Sequence, residues 1–170
     1  MSNSLRLVKI DSNYCDFLRE YDYRVPYNKN SKELRPFIGI LFTVDNKNYF
    51  APLSSPKPKH LTMKKAIDFY KINDGKLGIV NCNNMIPVLN NNYVLLDLKE
   101  FGKTKEEIKY IKMLKKQLLY LNRNKMTLIK QARILYKSYI NGSLNYGISQ
   151  RCCNFRLLEE KCAQYNSVYN

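Results

Sequence analysis

The sequence predicts an α+β fold, a strongly bent antiparallel β-sheet with helices packed on it. Three observations carry that expectation. Short segments of β character, separated by Asn, Asp, Gly and Pro, run to about residue 98. Apolar stripes of 3.6-residue period take over beyond that point. Finally, 170 residues of which 45% are apolar, with no internal repeat, low-complexity tract or linker, suit one domain with a real core. The expected organisation is one domain over residues 1–170, with a β-rich core at about 5–98 and a helical part at about 103–165.

Residues 5–10 alternate polar and apolar and form the first strand. Asp11 or Ser12 can cap a short helix whose buried stripe is Tyr14, Phe17, Leu18 and Tyr21. Residues 25–35 are polar and aperiodic, a loop. Residues 36–44 (PFIGILFTV) are β-rich, and Asp45-Asn46 turns the chain into residues 48–53, completing a hairpin. Pro52 places a strand end or a sheet edge there. Residues 66–72 (AIDFYKI) alternate like a strand, a short helix being the other option. Asn73-Asp74-Gly75 turns into residues 76–80, and residues 85–88 and 93–98 add two strands around Asn90-Asn91-Asn92. Thr104 and Glu107 form a capping box for a long helix with Ile108, Ile111, Leu114, Leu118 and Leu121 on its inner face. A second helix covers about residues 126–140 and stops near Asn141-Gly142. A third follows Asn154, with Leu157, Leu158 and Cys162 inward.

Charge is the strongest global clue to function. The 29 Lys and Arg residues outnumber 14 Asp and Glu, a formal net charge of +15. A domain so far from neutrality repels itself, which is easiest to understand if a polyanion normally covers its surface. The cations are spread over loops and helices without a lipidation motif or polybasic end, so nucleic acid is favoured over a membrane. Fourteen Tyr and seven Phe suit single strands, whose bases stack on rings while cations hold phosphates, although any one Tyr is more often core or rim. No signal peptide opens the chain, no apolar stretch reaches membrane length, and the five cysteines lack C-x-x-C spacing, so reduced thiols in a cytoplasm are expected.

The single histidine rules out a two-histidine acid–base pair, no loop carries a carboxylate cluster for a two-metal nuclease, and no P-loop or G-x-G-x-x-G occurs. Glu106-Glu107 and Glu159-Glu160 read as solvated helix surface. No metal or cofactor is expected. One route to RNA cleavage remains, because RNA carries its own nucleophile, the 2′-hydroxyl. Lys, Arg, Ser, Thr and Tyr side chains can share proton transfer and transition-state charge stabilisation, leaving a 2′,3′-cyclic phosphate and a 5′-hydroxyl. The loop Ser54-Ser55-Pro56-Lys57-Pro58-Lys59-His60 has that composition, with two hydroxyls for phosphate oxygens, cations beside them and two prolines that stiffen the chain. By composition alone such a segment is more often a plain basic loop, and His60 more often structural than catalytic.

Several segments, in order along the chain, point further: Tyr14-x-x-Phe17-Leu18, Arg24-Val25-Pro26, Pro36-Phe37-Ile38-Gly39-Ile40, Tyr49-Phe50-Ala51-Pro52-Leu53-Ser54-Ser55-Pro56-Lys57, Leu77-Gly78, Met85-Ile86-Pro87-Val88, Leu95-Leu96-Asp97-Leu98 and Cys153-Asn154-Phe155-x-Leu157-Leu158-Glu159-Glu160-Lys161. In these the sequence resembles the ToxN/AbiQ family of type III toxin–antitoxin and abortive-infection endoribonucleases. The resemblance implies a core related to the MazF/Kid/CcdB toxins and metal-free cleavage of A-rich RNA. It also implies a repeat RNA antitoxin, folded into pseudoknots and processed by the toxin, that closes into a ring-like assembly until phage infection releases it.

Carried over residue by residue, the family's active-site hydroxyls fall on Ser54 and Ser55, the first commonly Thr in relatives, and its loop lysine on Lys57. A second cation falls on Arg35, where a relative has Lys; Arg keeps its proton at neutral pH and so stabilises charge instead of acting as a base. The family's tyrosine in the preceding loop has no direct counterpart in this shorter loop. The gapless match lands on Ser31, and Tyr27 and Lys32 are the alternatives. Lys57 can move a proton only if burial or neighbouring cations such as Arg35 and Lys59 lower its pKa. A wider RNA surface is expected on the long helices, from Lys112, Lys115, Lys116, Arg123, Lys125, Lys130, Arg133 and Lys137. Two other readings stay open on the residues alone: a non-catalytic RNA-binding module, and a toxin acting on a protein such as a topoisomerase.

Overall fold

The computed structural model of the chain describes residues 3–27 and 35–169. Strand β1 (Arg6–Ile10) leads into α1 (Ser12–Tyr21), with Asp11 as N-cap, its carboxylate accepting from the Tyr14 amide at 2.8 Å. Tyr14, Cys15 and Leu18 are buried as the helical spacing requires. Tyr21, expected on the same stripe, is 43% exposed; it lies at the helix end, where its ring carries the Lys161 ammonium at 4.2 Å.

Strands β2 (Phe37–Gly39), β3 (Thr43–Val44) and β4 (Lys47–Ser54) follow. Asp45 and Asn46 both adopt positive φ, the conformation of a two-residue hairpin turn, and set Thr43 opposite Asn48. β4 is the spine of the sheet. Near its start it pairs with β3 and with β7 (Ile86–Val88), farther on with β2, and at its end with β6 (Ile79–Val80). The long path runs from β5 (Tyr70–Lys71) through β6, β4, β2 and β1 to β8 (Tyr93–Leu95), all antiparallel.

Pro52 therefore sits inside the central strand, not at an edge. It occupies the place where β4 changes partner on one side from β7 to β6, and its carbonyl accepts the Asn81 amide at 2.9 Å. The missing amide hydrogen thus falls at the gap between two ladders. The strand expected over residues 66–72 shrinks to β5 and one bridge, Ala66 to Phe69. In place of a ladder, Gln131 donates its side-chain amide to the carbonyls of Ala66, Ile67 and Phe69.

The helical part holds α3 (Lys105–Arg123), α4 (Lys125–Ile140), α5 (Tyr146–Arg151) and α6 (Phe155–Tyr169), with α2 (Lys59–Thr62) lying earlier, just past the Ser-Ser loop. The Thr104–Glu107 capping box is present in both directions, and Asn154 accepts from the Leu157 amide. α5 had no signature in the sequence. One cluster of buried side chains runs from β1 through β4 to α6, and all five cysteines lie in it unpaired. Burial pushes the Cys15, Cys82 and Cys152 thiols up to about 12, so they hold no thiolate at neutral pH.

Glu159 is a correction to the solvated-surface expectation. It faces the sheet, and its Oε1 accepts the hydroxyls of Tyr49 on β4 and Tyr136 on α4, each at 2.6 Å. Burial, reinforced by Glu159, pushes both phenols up, so they stay protonated donors that pin α6 to β4 and α4.

Candidate active site

The Ser54 end of β4 is fixed from several sides. Across from it lies Ile79 of β6. On the opposite flank the β2–β4 register, Phe37 to Pro52, carried two residues further sets Arg35 opposite Ser54, and the Leu53 amide already donates to the Pro36 carbonyl at 3.0 Å. The Asn81 side-chain amide donates to Ser54 Oγ at 2.8 Å. With that lone pair engaged, the Ser54 hydroxyl keeps its own proton to donate outward.

Gly78 closes the back of the site. Its φ is +96°, and a Cβ built there would stand 2.0 Å from the Ser54 carbonyl oxygen, so only glycine allows this approach. The neighbouring Leu77 carbonyl accepts from Gln117 Nε2 at 2.7 Å. Gln117 is fully buried on α3, an amide on an otherwise apolar stripe with Leu114 and Leu121. Helix α3 is thus fastened to the turn that supports the serines.

Ser55, Lys57 and Lys59 are exposed while the segment's end is locked. The His60 amide donates to the Lys57 carbonyl at 2.9 Å, and the Lys57 amide donates back to His60 Nδ1 at 3.1 Å. His60 is 1% exposed, and a Cβ at Gly75 would meet its carbonyl at 2.2 Å. Burial first, then Lys59, Lys57 and Lys71, hold the imidazole below its ordinary value, which keeps Nδ1 free to accept. His60 is therefore the staple of the loop and is not presented to a substrate, in line with the structural role expected from the sequence.

Arg35 is half-buried beside Tyr110 of α3; burial lowers the guanidinium and raises the phenol, each opposed by the other's charge. The structure thus gathers Ser54, Ser55 and Lys57 on one segment, with Arg35 two residues before the flanking strand β2. Tyr27 is 44% exposed, with the Arg19 guanidinium 4.7 Å over its ring, and no hydrogen bond or ring contact among the described residues joins it to the Ser54 segment. Ser31 and Lys32 lie outside the described residues. Of the helix cations, Lys115 turns to Glu100 at 3.3 Å, whereas Lys112, Lys116, Arg123 and Arg133 are exposed without an ion pair among the described residues. Among the described residues no group of three His, Cys, Asp or Glu side chains is placed to hold a metal ion, and no helix is long and apolar enough to cross a membrane.

Sequence reasoning missed Asn81 and Gln117. Asn81 stands in an Asn-rich run that reads as a turn, so nothing marked it; Gln117 left a readable signal, a lone amide at a buried helical position.

Comparison with known proteins identifies the family. The family model described as Toxin ToxN, type III toxin-antitoxin system, matches residues 6–163. Endoribonuclease ToxN of Pectobacterium atrosepticum is 32% identical over 165 residues, 92% of this chain and 91% of that protein. Endoribonuclease ToxN of Bacillus thuringiensis subsp. kurstaki is 31% identical over 160 residues, 92% and 81% of the two chains. A solved structure of a type III toxin, reported with selective inhibition by a non-coding RNA pseudoknot, superposes with a TM-score of 0.80 at 29% identity, covering 96% of this chain and 99% of that one. The match of the family model across nearly the whole sequence, with two relatives above 30% identity, shows that the chain belongs to the ToxN family of type III toxin–antitoxin toxins.

Proposed function

We propose that this chain is a metal-independent endoribonuclease that cuts A-rich RNA and is restrained by a repeat pseudoknot RNA antitoxin, which it processes and binds in a closed toxin–RNA assembly. The observation that carries the reading is the Ser54 hydroxyl, held by Asn81 at the end of β4 beside Ser55 and Lys57, with Arg35 set opposite by the strand register. Ser54 and Ser55 donate hydrogen bonds to non-bridging oxygens of the scissile phosphate. Lys57 and Arg35 stabilise the charge that builds on them as the 2′-oxygen attacks phosphorus and the P–O5′ bond breaks. The 2′-hydroxyl gives up its proton and the departing 5′-oxygen gains one, which leaves a 2′,3′-cyclic phosphate and a 5′-hydroxyl. Tyr27, exposed and backed by Arg19, is with Ser31 and Lys32 a candidate for the family's loop tyrosine.

The five unpaired buried thiols support a cytoplasmic setting, with cellular or phage RNA as substrate. The continuous buried cluster supports one domain over residues 1–170, and a central strand shared by four ladders supports kinship with the MazF/Kid/CcdB core. Incubating the purified chain with A-rich RNA in EDTA is the test. Cut RNA with cyclic-phosphate ends is expected; binding without cutting would instead favour an RNA-binding module, and neither would point to a protein target.

A further inference from the structure

Helix α3 carries a second feature that the cleavage chemistry does not use. Leu77, Ile108 and Met113 form the apolar floor of a groove of about 460 Å³ beside the supporting turn. Its rim is cationic throughout: Lys105, Lys109, Lys112 and Lys116 stand at spacings of four, three and four residues, one face of the helix. From first to last the row spans about 16 Å at the rise of an α-helix. None of the four has an ion-pair partner among the described residues, whereas Lys115 on the next face is paired with Glu100. Like charges at i, i+4 destabilise a helix, so such a row points to a polyanion that neutralises it. The floor is too apolar for phosphates alone. An apolar floor under a cationic rim suits a nucleotide, with the base below and the phosphate at the edge.

The groove adjoins the candidate active site. Leu77 in its floor is the residue before Gly78, which touches the Ser54 carbonyl, and Arg35 meets α3 at Tyr110, the neighbour of Lys109. We infer that the α3 groove is a binding subsite for the single-stranded RNA flanking the scissile phosphate, one base resting on Leu77, Ile108 and Met113 while its neighbours' phosphates lie along the lysine row. This rests on the endoribonuclease reading and adds to it where the substrate strand runs. Two of the four lysines, Lys105 and Lys109, carried no functional expectation from the sequence.

The probe is an A-rich single-stranded RNA made uncleavable by a 2′-deoxy nucleotide at the cut position, with affinity measured at several salt concentrations. The triple variant Lys109→Ala/Lys112→Ala/Lys116→Ala is compared with Lys47→Ala/Lys64→Ala/Lys65→Ala, which removes the same charge elsewhere. The groove variant should bind at least tenfold more weakly than the control, with its salt slope smaller by about two, roughly 0.7 per lost phosphate contact. An abasic nucleotide next to the cut position should weaken wild-type binding about tenfold and have little further effect in Ile108→Ala. Equal losses in the two triple variants, or no abasic effect at any flanking position, would overturn the subsite. Wild-type binding that follows this pattern without cleavage of the all-ribose RNA would instead remove the nuclease reading and leave the groove standing.

Discussion

Gly78→Ala is the perturbation whose consequence can be worked from the structure in most detail. The substituted residue would keep a φ of +96°, and the left-handed region costs an L-residue about 1–2 kcal/mol. Its Cβ would also stand 2.0 Å from the Ser54 carbonyl oxygen, where ordinary contact begins near 3.4 Å, so a gap of more than 1 Å has to open. Backbone is the obstacle, which no rotamer change relieves, and overpacking of this kind costs roughly 1–3 kcal/mol. Gly142 supplies the control. It also has a positive φ, +70°, but nothing lies within 4 Å of the Cβ position, so Gly142→Ala reads the backbone cost alone. Urea unfolding should show roughly 2–5 kcal/mol lost in Gly78→Ala and about 1–2 kcal/mol in Gly142→Ala. Cleavage of RNA in EDTA by the folded protein should fall on the order of 100-fold in Gly78→Ala, the usual effect of displacing a reacting group by about 1 Å, and stay at wild-type level in Gly142→Ala. Equal stability losses in the two variants, with cleavage within threefold of wild type, would refute the idea that Gly78 sets the position of Ser54.

Three further outcomes are expected. Asn81→Ala removes the donor to Ser54 Oγ, so turnover should drop roughly fivefold or more, worth about 1 kcal/mol, with RNA affinity unchanged in a gel-shift assay. The buried His60 is held below its ordinary value, so between that lowered value and about pH 6.5 the unfolded chain binds a proton that the folded chain does not. Stability should therefore be full above about pH 6.5 and fall as the pH drops below it. A protonated Nδ1 can no longer accept from the Lys57 amide, so cleavage by the folded protein should fall only at lower pH, where the folded imidazole itself titrates, and His60→Gln should flatten the pH dependence of stability measured by thermal melts. Glu159→Leu strips two tyrosine hydroxyls of their shared acceptor; a loss of about 2 kcal/mol or more in urea unfolding is expected, while cleavage per folded molecule is retained.

The helices were the most legible part of the fold. The Thr104–Glu107 capping box, the Asp11 and Asn154 caps and the apolar stripes act over one or two turns, so the information that specifies them is local. The hairpin turn at Asp45-Asn46 was legible for the same reason. Strands were read less well where pairing was not local. Residues 66–72 alternate like a strand, yet the carbonyls of Ala66, Ile67 and Phe69 are taken by Gln131, some 60 positions away, and Pro52 proved compatible with a central strand because its neighbours on one side change at that point.

By itself the sequence determined the α+β order, the excess of positive charge and, through the Ser54–Lys57 segment and its resemblance, the family and the candidate chemistry. Those properties live in composition, in local periodicity and in short contiguous motifs. Tertiary structure alone decided that the β2–β4 register runs on toward Arg35 and Ser54, that Asn81 orients the Ser54 hydroxyl, that Glu159 is a tether and that four lysines of α3 share a groove with Leu77. Each of these depends on two segments meeting across the sheet or the core. A side chain's partner there is set by strand register and helix packing, and neither is written in the residues on either side of it.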